Sequence, residues 1–138
     1  MKGVFENQLD TYGSFAYKIK GVSMLPLLKQ DRDVVAIVQK KDRLHPMDVA
    51  FYKRNNDYVL HRVIKATDDG YLIRGDNTYV LEHVKEERVL GIMKSFVRNG
   101  KHIDCSDHGY RFYSWIWNLV FPVRHLALKA KKRIRRLL

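Results

Sequence analysis

A serine, a histidine and an aspartate stand in three short segments, in an order that suits a hydrolytic site. Ser23 lies in GVSMLP, His61 in HRV and Asp76 in GDN. A serine hydroxyl is a weak nucleophile at neutral pH, and an imidazole within hydrogen-bond reach can take its proton. A carboxylate that accepts the Nδ1–H of the imidazole would hold the productive tautomer. These residues therefore predict acyl transfer at Ser23, with His61 as the base and Asp76 as the orienting acid.

The segment around Ser23 predicts a strand that gives way to a turn containing a proline. Such a turn exposes both the hydroxyl and the backbone N–H of Ser23, and this N–H is the predicted oxyanion donor. Met24 and Pro26 are predicted to shape the turn and one wall of the substrate groove, and Gly21 is assigned with them to the substrate and oxyanion region. The alternative is structural: Ser23 as a turn residue, His61 as a half-buried strand histidine, and Asp76 in an ordinary turn.

The three segments together resemble the signal-peptidase superfamily, which also contains the self-cleaving repressor proteases. The pattern is most similar to the type found in the endoplasmic reticulum and archaea, and the resemblance covers about residues 17–93. Asp33 and Asp48 look like the acidic residues that open two strands in this family, although neither follows the glycine that usually precedes it. Gly91 fits the closing strand of the family.

The resemblance implies a serine endopeptidase with a Ser–His site that cleaves a peptide or precursor protein after a small residue. His61 stands where bacterial signal peptidases usually carry a lysine. Lys65 is the alternative base, but four residues along a strand is about 13 Å. Gly21 replaces a serine or threonine that often helps to bind the oxyanion in the family. The implied substrate lies extended beside an edge strand, and no cofactor is required.

The strand signals predict a mainly β domain over residues 1–109. Runs beginning at Tyr17, Asp33, Met47, Tyr58 and Tyr71 read as strands separated by turn-forming residues, and 33–38 is typical of a strand buried on both faces. Asn-Gly at 99–100 predicts a two-residue hairpin turn between 88–98 and 101–104. We expect a coiled antiparallel sheet or partly open barrel of signal-peptidase-like type. The segment HIDCSDH has no familiar zinc spacing, so a polar turn without metal is expected there.

Residues 110–138 are predicted to form a basic tail of amphipathic helices. Val123, Leu126, Ala127, Ala130, Ile134, Leu137 and Leu138 fall on one helical face, and Phe112, Trp115, Ile116, Leu119 and Val120 continue it upstream. The residues predicted to form a membrane or partner surface are Trp115, Trp117, Lys129, Lys131, Lys132, Arg133, Arg135 and Arg136. Packing on the sheet with the basic face in water and association with an anionic membrane are equal alternatives. Nucleic acid is a weaker third, because no recognised binding motif accompanies the charge.

The sequence disfavours a disulfide-stabilised, a secreted or a membrane-spanning protein. A single cysteine permits no internal disulfide, no secretory signal is visible at the N-terminus, and no apolar run is long enough to cross a bilayer. We therefore expect a cytoplasmic protein, with peripheral attachment to the inner face of the membrane as an open alternative. Two rival functions remain: a catalytically inactive peptide-binding module of the same fold, and a self-cleaving repressor-like protease.

Overall fold

The computed structural model describes residues 3–137, which form an antiparallel sheet of eight strands and three helices. The strands are β1 (Ser14–Lys18), β2 (Asp33–Gln39), β3 (Val49–Arg54), β4 (Asp57–Ala66), β5 (Gly70–Arg74), β6 (Glu82–Lys85), β7 (Val89–Arg98) and β8 (Lys101–Asp104). The helices are α1 (Val4–Tyr12), α2 (His108–Leu119) and α3 (Phe121–Leu137). The chain is therefore mainly β, as predicted, with the long helices at its C-terminal end.

The sheet is an open meander with one strand inserted out of sequence order. Its order is β1-β2-β7-β3-β4-β5-β6, and β8 forms a hairpin with β7 at one end. The hairpin turn has Asn99 and Gly100 at positive φ, as the Asn-Gly signal predicted. Strands β1 and β6 are the two edges of the sheet. Strand β4, which carries His61, lies between β3 and β5.

The two faces of the sheet pack against separate apolar clusters. One cluster contains Tyr17, Met24, Phe51 and Phe96, and the other contains Tyr52 together with residues of β4, β5 and β7. Phe51 and Tyr52 are adjacent in β3 and belong to different clusters because successive side chains of a strand point to opposite faces. Strand β3 is thus covered on both sides.

The prediction that residues 33–38 are buried on both faces is wrong. Strand β2 alternates between buried and more accessible residues, and Val34 is exposed. Strand β2 lies next to the edge strand β1, and only one of its faces is well covered. Its β-branched residues therefore reflect strand propensity rather than burial on both faces. The doubly covered strand is β3, at the centre of the sheet.

Other boundaries differ from the predicted ones at the edges of the sheet. The first strand, predicted over 17–22, instead runs from Ser14 to Lys18, since residues 19–22 lead into the turn at Ser23. Strand β6 was not predicted. It has only four residues with a weak pattern, and pairing with β5 rather than its own sequence defines it.

The predicted boundary at residue 109 falls inside helix α2. Asp107 caps this helix by accepting a hydrogen bond from the Tyr110 N–H, and Tyr110 and Ser114 are buried against the domain. Helix α2 is therefore part of the folded body, whereas α3 contributes no buried residue. Leu138, predicted to extend the apolar face of the tail, lies outside the described residues. Within residues 3–137, no helix combines the length and the apolar character needed to cross a membrane.

Candidate active site

Ser23 and His61 meet at hydrogen-bond distance. Ser23 lies in the turn after β1, His61 lies in the middle of β4, and 3.0 Å separates Ser23 Oγ from His61 Nε2. The histidine is 9% exposed, while the serine is half-buried and lines an open cleft. This is the separation required for direct proton transfer from the hydroxyl to the imidazole.

The Gly75-Asp76-Asn77 turn holds the serine turn in place. The Asn77 N–H donates to the Ser23 carbonyl at 2.8 Å, and the Asn77 side-chain amide donates to the Val22 carbonyl at 3.0 Å. Gly75 is required by space: a Cβ there would lie 2.6 Å from the Ser23 carbonyl oxygen and 3.1 Å from the His61 ring. The three segments singled out in the sequence are thus brought together.

The other ring nitrogen of His61 faces a tyrosine. Tyr52 Oη lies 3.3 Å from His61 Nδ1, and the Tyr52 hydroxyl donates to Glu82 Oε1 at 2.6 Å. Tyr52 lies on β3, where Ala50 pairs with His61, so the tyrosine is a diagonal neighbour of the histidine on the same face of the sheet. Arg54, two residues along β3, holds the Glu82 carboxylate with bonds of 2.7 and 2.9 Å.

These contacts fix which nitrogen of His61 carries its proton. The Glu82 carboxylate can only accept a hydrogen bond. Arg54 Nη2, which lies 3.3 Å from Tyr52 Oη, can only donate one. The single hydroxyl proton of Tyr52 therefore points to Glu82. The tyrosine oxygen then faces Nδ1 as an acceptor. His61 is therefore protonated at Nδ1, and its free Nε2 lone pair faces Ser23. This is the tautomer that a general base for Ser23 needs.

Electrostatics keep the imidazole neutral. Burial, followed by the positive charge of Arg54, lowers the pKa of His61 from 6.5 to about 4, against a smaller opposing effect of Glu82. Burial and the bond to Glu82 raise the pKa of Tyr52, so it remains a donor. Burial opposes ionisation of Glu82, but its bonds from Arg54 and Tyr52 outweigh this and lower its pKa. At neutral pH the unprotonated base and the Glu82 carboxylate therefore coexist.

The lowered pKa of His61 predicts the pH dependence of Ser23 reactivity. The labelling rate of Ser23 by an acylating probe should stay level from neutral pH downward and fall with a midpoint near pH 4. The same protonation costs stability: the unfolded chain binds the proton near pH 6.5, so the native state loses stability as pH falls from there towards 4. Circular dichroism at each pH separates the two effects. Arg54→Gln should raise the midpoint, and a wild-type midpoint at 6.5 or above would contradict the assignment.

The predicted contact between Asp76 and His61 is corrected by the structure. The Asp76 carboxylate accepts hydrogen bonds from Arg62 Nε at 2.7 Å, Arg62 Nη2 at 3.0 Å and the Tyr113 hydroxyl at 3.0 Å. Arg62 follows His61 in β4, so its side chain points to the opposite face of the strand and draws the carboxylate there. The position next to Nδ1 belongs to Tyr52, and Asp76 acts on His61 only as a distant charge.

Helices α2 and α3 brace the turn that contains Asp76. The Asp76 carbonyl accepts from the Trp117 indole at 2.8 Å and from Arg124 Nη1 at 3.1 Å, and the Arg124 guanidinium stacks 3.9 Å from the Trp117 ring. Trp117, which was predicted to belong to a membrane or partner surface, is half-buried, and its indole N–H is engaged with the domain. Trp115 and the predicted basic residues from Lys129 to Arg136 are exposed.

The residues predicted to shape the oxyanion and substrate region have different positions. Met24 is buried beneath the turn and lines the cleft, where its sulfur accepts from the Asp76 N–H at 3.4 Å. The Gly21 N–H is occupied by the Gln30 side chain at 2.8 Å. Pro26 lines a different pocket, beside Phe96. None of the described residues accepts a hydrogen bond from the Ser23 N–H, so this donor is available to an oxyanion.

The cleft beside Ser23 has a volume of about 860 Å³. Its lining includes the apolar residues Ile19, Met24, Leu60 and Ile73. Residues 19–20, which follow β1, and residues 78 and 80–82, which lead into β6, also line it. Lys65, the alternative base, is exposed near the far end of β4 and does not line the cleft.

Sequence reasoning missed Tyr52, Glu82 and Arg54. Tyr52 lies in the strand predicted over 47–53 and Arg54 directly follows that range, so the two fall on one face because β3 continues to Arg54. Which residue they meet depends on the register between β3 and β4, and Glu82 lies on the strand that had no sequence signal.

No protein-family model and no curated protein matches this chain. The functional assignment therefore rests on the geometry of the site itself.

Proposed function

We propose that the protein is a serine endopeptidase in which Ser23 is the nucleophile and His61 the general base. The observation that carries the proposal is the 3.0 Å contact from Ser23 Oγ to an Nε2 whose partner nitrogen is held by Tyr52. A structural serine–histidine contact would not require a buried tyrosine and a carboxylate to fix the tautomer. The resemblance of the three segments to the signal-peptidase superfamily points to the same chemistry.

The reaction begins with attack of Ser23 Oγ on the peptide carbonyl carbon while its proton passes to His61 Nε2. The oxyanion of the tetrahedral intermediate accepts a hydrogen bond from the Ser23 N–H. The C–N bond then breaks as Nε2 returns the proton to the departing amine, leaving an ester on Ser23. Water attacks this ester and loses a proton to Nε2, and that proton finally returns to Oγ as the ester bond breaks.

Tyr52 and Glu82 replace the aspartate of a Ser–His–Asp triad in this mechanism. The imidazolium formed during attack donates its Nδ1–H to the Tyr52 oxygen, which is itself polarised by donation to Glu82. The carboxylate thus stabilises the imidazolium through a neutral relay. A base with a pKa near 4 is weak, and the negative charge of Glu82 offsets part of the cost of protonating it.

The substrate class follows from the walls of the cleft. An extended peptide can pair its backbone with the segments next to the edge strands β1 and β6, and alternate side chains then point to the apolar lining. The lining that Ser23 shares with Ile19, Met24 and Ile73 is apolar. We propose a small side chain immediately before the cut.

A panel of extended peptides tests the function directly. Each peptide carries one site, and the residue before it varies from alanine through leucine to phenylalanine. The proposal expects single cuts, read by mass, with rates highest for alanine. Binding without cleavage over a range of pH by folded protein would instead support the inactive peptide-binding module.

Removal of the Tyr52 hydroxyl should reduce catalysis while leaving the fold intact. Tyr52→Phe is expected to lower kcat by roughly tenfold to a hundredfold, because Nδ1 loses its acceptor and the tautomer is no longer fixed. Tyr71→Phe is the matched control: it is another buried sheet tyrosine, bonded to the Leu44 N–H.

A pH profile distinguishes this positioning role from a structural one. Glu82→Gln removes the negative charge that raises the pKa of His61, so the acid limb of activity should move to lower pH. A loss of activity in both tyrosine variants, with an unmoved acid limb in Glu82→Gln, would contradict the relay.

A further inference from the structure

A single apolar stripe follows the outer side of α2 and α3. Its large side chains recur at steps of three or four residues and are between 56% and 81% exposed. They are Phe112, Trp115, Leu119, Val123, Leu126, Ile134 and Leu137, and the exposed Ala130 fills the eight-residue interval between Leu126 and Ile134. Helical bonds from the Val120 N–H to Ile116 and from the Arg124 N–H to Val120 carry the helical phase across the junction. The stripe is therefore about 38 Å long.

The side of α3 that faces the domain is a different one. Phe121 and His125 pack against Tyr79, with ring centroids 5.6 and 5.1 Å apart, and Arg124 reaches the Asp76 carbonyl. Residues 121, 124, 125 and 128 are the half-buried ones of the helix, and they lie roughly opposite the stripe. Packing of the apolar face on the sheet, one of the two equal alternatives, is therefore not observed, because the domain occupies the other side of the helix.

Strong positive charge borders the stripe. Residues 111–138 contain eight lysines and arginines and no aspartate or glutamate. Those beyond residue 128 are exposed: Lys129, Lys131, Lys132, Arg133, Arg135 and Arg136. At 100° per residue, Lys129, Lys131, Arg133 and Arg136 flank the stripe, whereas Lys132 and Arg135 lie on the opposite side of the helix. A second copy of this chain would bring like charges together along the stripe. Duplex nucleic acid would neutralise the positive charges but leave the apolar side chains of the stripe exposed to water.

We propose that α2 and α3 dock on an anionic membrane surface with their axes in the plane of the bilayer. The stripe enters the boundary between headgroups and acyl chains, and the bordering lysines and arginines contact lipid phosphates. Trp115, which is exposed on the stripe, sits at the headgroup level, where aromatic rings prefer to lie. Docking does not depend on Ser23, so this proposal stands apart from the proposed peptidase activity.

Sedimentation of the full chain with vesicles tests the proposal. We expect binding to vesicles of phosphatidylcholine mixed with phosphatidylglycerol, weakened at least about tenfold on phosphatidylcholine alone. Leu126→Glu with Ile134→Glu should weaken binding to the anionic vesicles at least about tenfold, because carboxylates would enter the apolar zone. Val4→Glu, which changes an exposed apolar residue of α1, is the matched control and should bind normally.

Two further readouts test whether the helices enter the vesicle surface and whether the variants stay folded. Vesicles should shift tryptophan fluorescence of the wild type to the blue, and Trp115→Phe should reduce this shift. Circular dichroism should be unchanged in the glutamate variant, since both altered side chains are solvent-exposed.

The proposal is overturned by equal binding to neutral and anionic vesicles, or by binding that the glutamate pair leaves unchanged. It is equally overturned if no vesicle binds while the stripe mediates dimers or the tail binds duplex DNA.

Discussion

Replacement of Ser23 by alanine is expected to lower kcat/KM for a cleaved peptide by at least about a thousandfold, which corresponds to about 4 kcal/mol of transition-state stabilisation. In the proposed mechanism the ester forms on the Ser23 hydroxyl oxygen, which lies 3.0 Å from His61 Nε2, and alanine carries no atom that could replace it. His61→Ala should cost a similar factor, because the hydroxyl then has no proton acceptor.

The double variant makes this prediction specific. Ser23 and His61 act as a unit, so removing both should cost little more than removing either one. Ser14→Ala, an exposed serine on β1, is the control and should retain full activity. Additive losses in the double variant would indicate two independent contributions and contradict a shared proton transfer.

Asp76→Asn is expected to destabilise the fold by about 3–5 kcal/mol, since it leaves the buried Arg62 guanidinium without its counter-charge. For a domain of this size the loss corresponds to a decrease in Tm of roughly 10–20 °C. The other partners of Arg62 are uncharged: its Nη1 donates to the Met47 carbonyl at 2.7 Å and to the Tyr110 hydroxyl at 3.5 Å, whereas Nε and Nη2 both donate to Asp76. Thermal unfolding followed by circular dichroism measures the effect.

Two comparisons show whether a lower Tm comes from the loss of the buried ion pair. Asp69→Asn alters a carboxylate that bonds His83 at the exposed surface, and it should leave Tm almost unchanged. If Asp76→Asn instead kept the wild-type Tm and lost activity as Glu82→Gln or Tyr52→Phe does, Asp76 would be acting on His61, and the relay through Tyr52 would be wrong.

The contact between Ser23 and His61 could be predicted from the sequence because each residue sits in a short segment with its own local signal. The proline turn exposes Ser23, and the strand pattern around His61 places the histidine on β4. The glycine of Gly75-Asp76-Asn77 likewise indicated a close approach, and the structure places this turn against both residues.

The third position could not be predicted in the same way, since it depends on register. Whether Asp76 or Tyr52 reaches Nδ1 is decided by the pairing of Ala50 with His61 and by the opposite orientation of Arg62. Neither is visible locally, because a shift of one residue in register would exchange the two faces. A lone carboxylate in a turn is easily recognised, whereas a tyrosine in an apolar strand is read as core.

The helical end shows a similar limit. The spacing of apolar residues correctly separated one face from the other, but periodicity does not say which face the domain covers. Half-buried Phe121 and His125 pack on Tyr79, so the most regular apolar face is left outside. Trp117 was grouped with Trp115 by composition, and the structure assigns them to opposite environments.

The central claim is that Ser23 is an activated nucleophile, and mass analysis after reaction with an acylating peptide mimic tests it most directly. The mimic carries a small residue at the position before the reactive carbonyl. The account predicts one adduct, located on Ser23, that forms at neutral pH and is absent in Ser23→Ala and His61→Ala. Folded wild-type protein that remains unlabelled across the pH range, or an adduct that persists in His61→Ala, would contradict it.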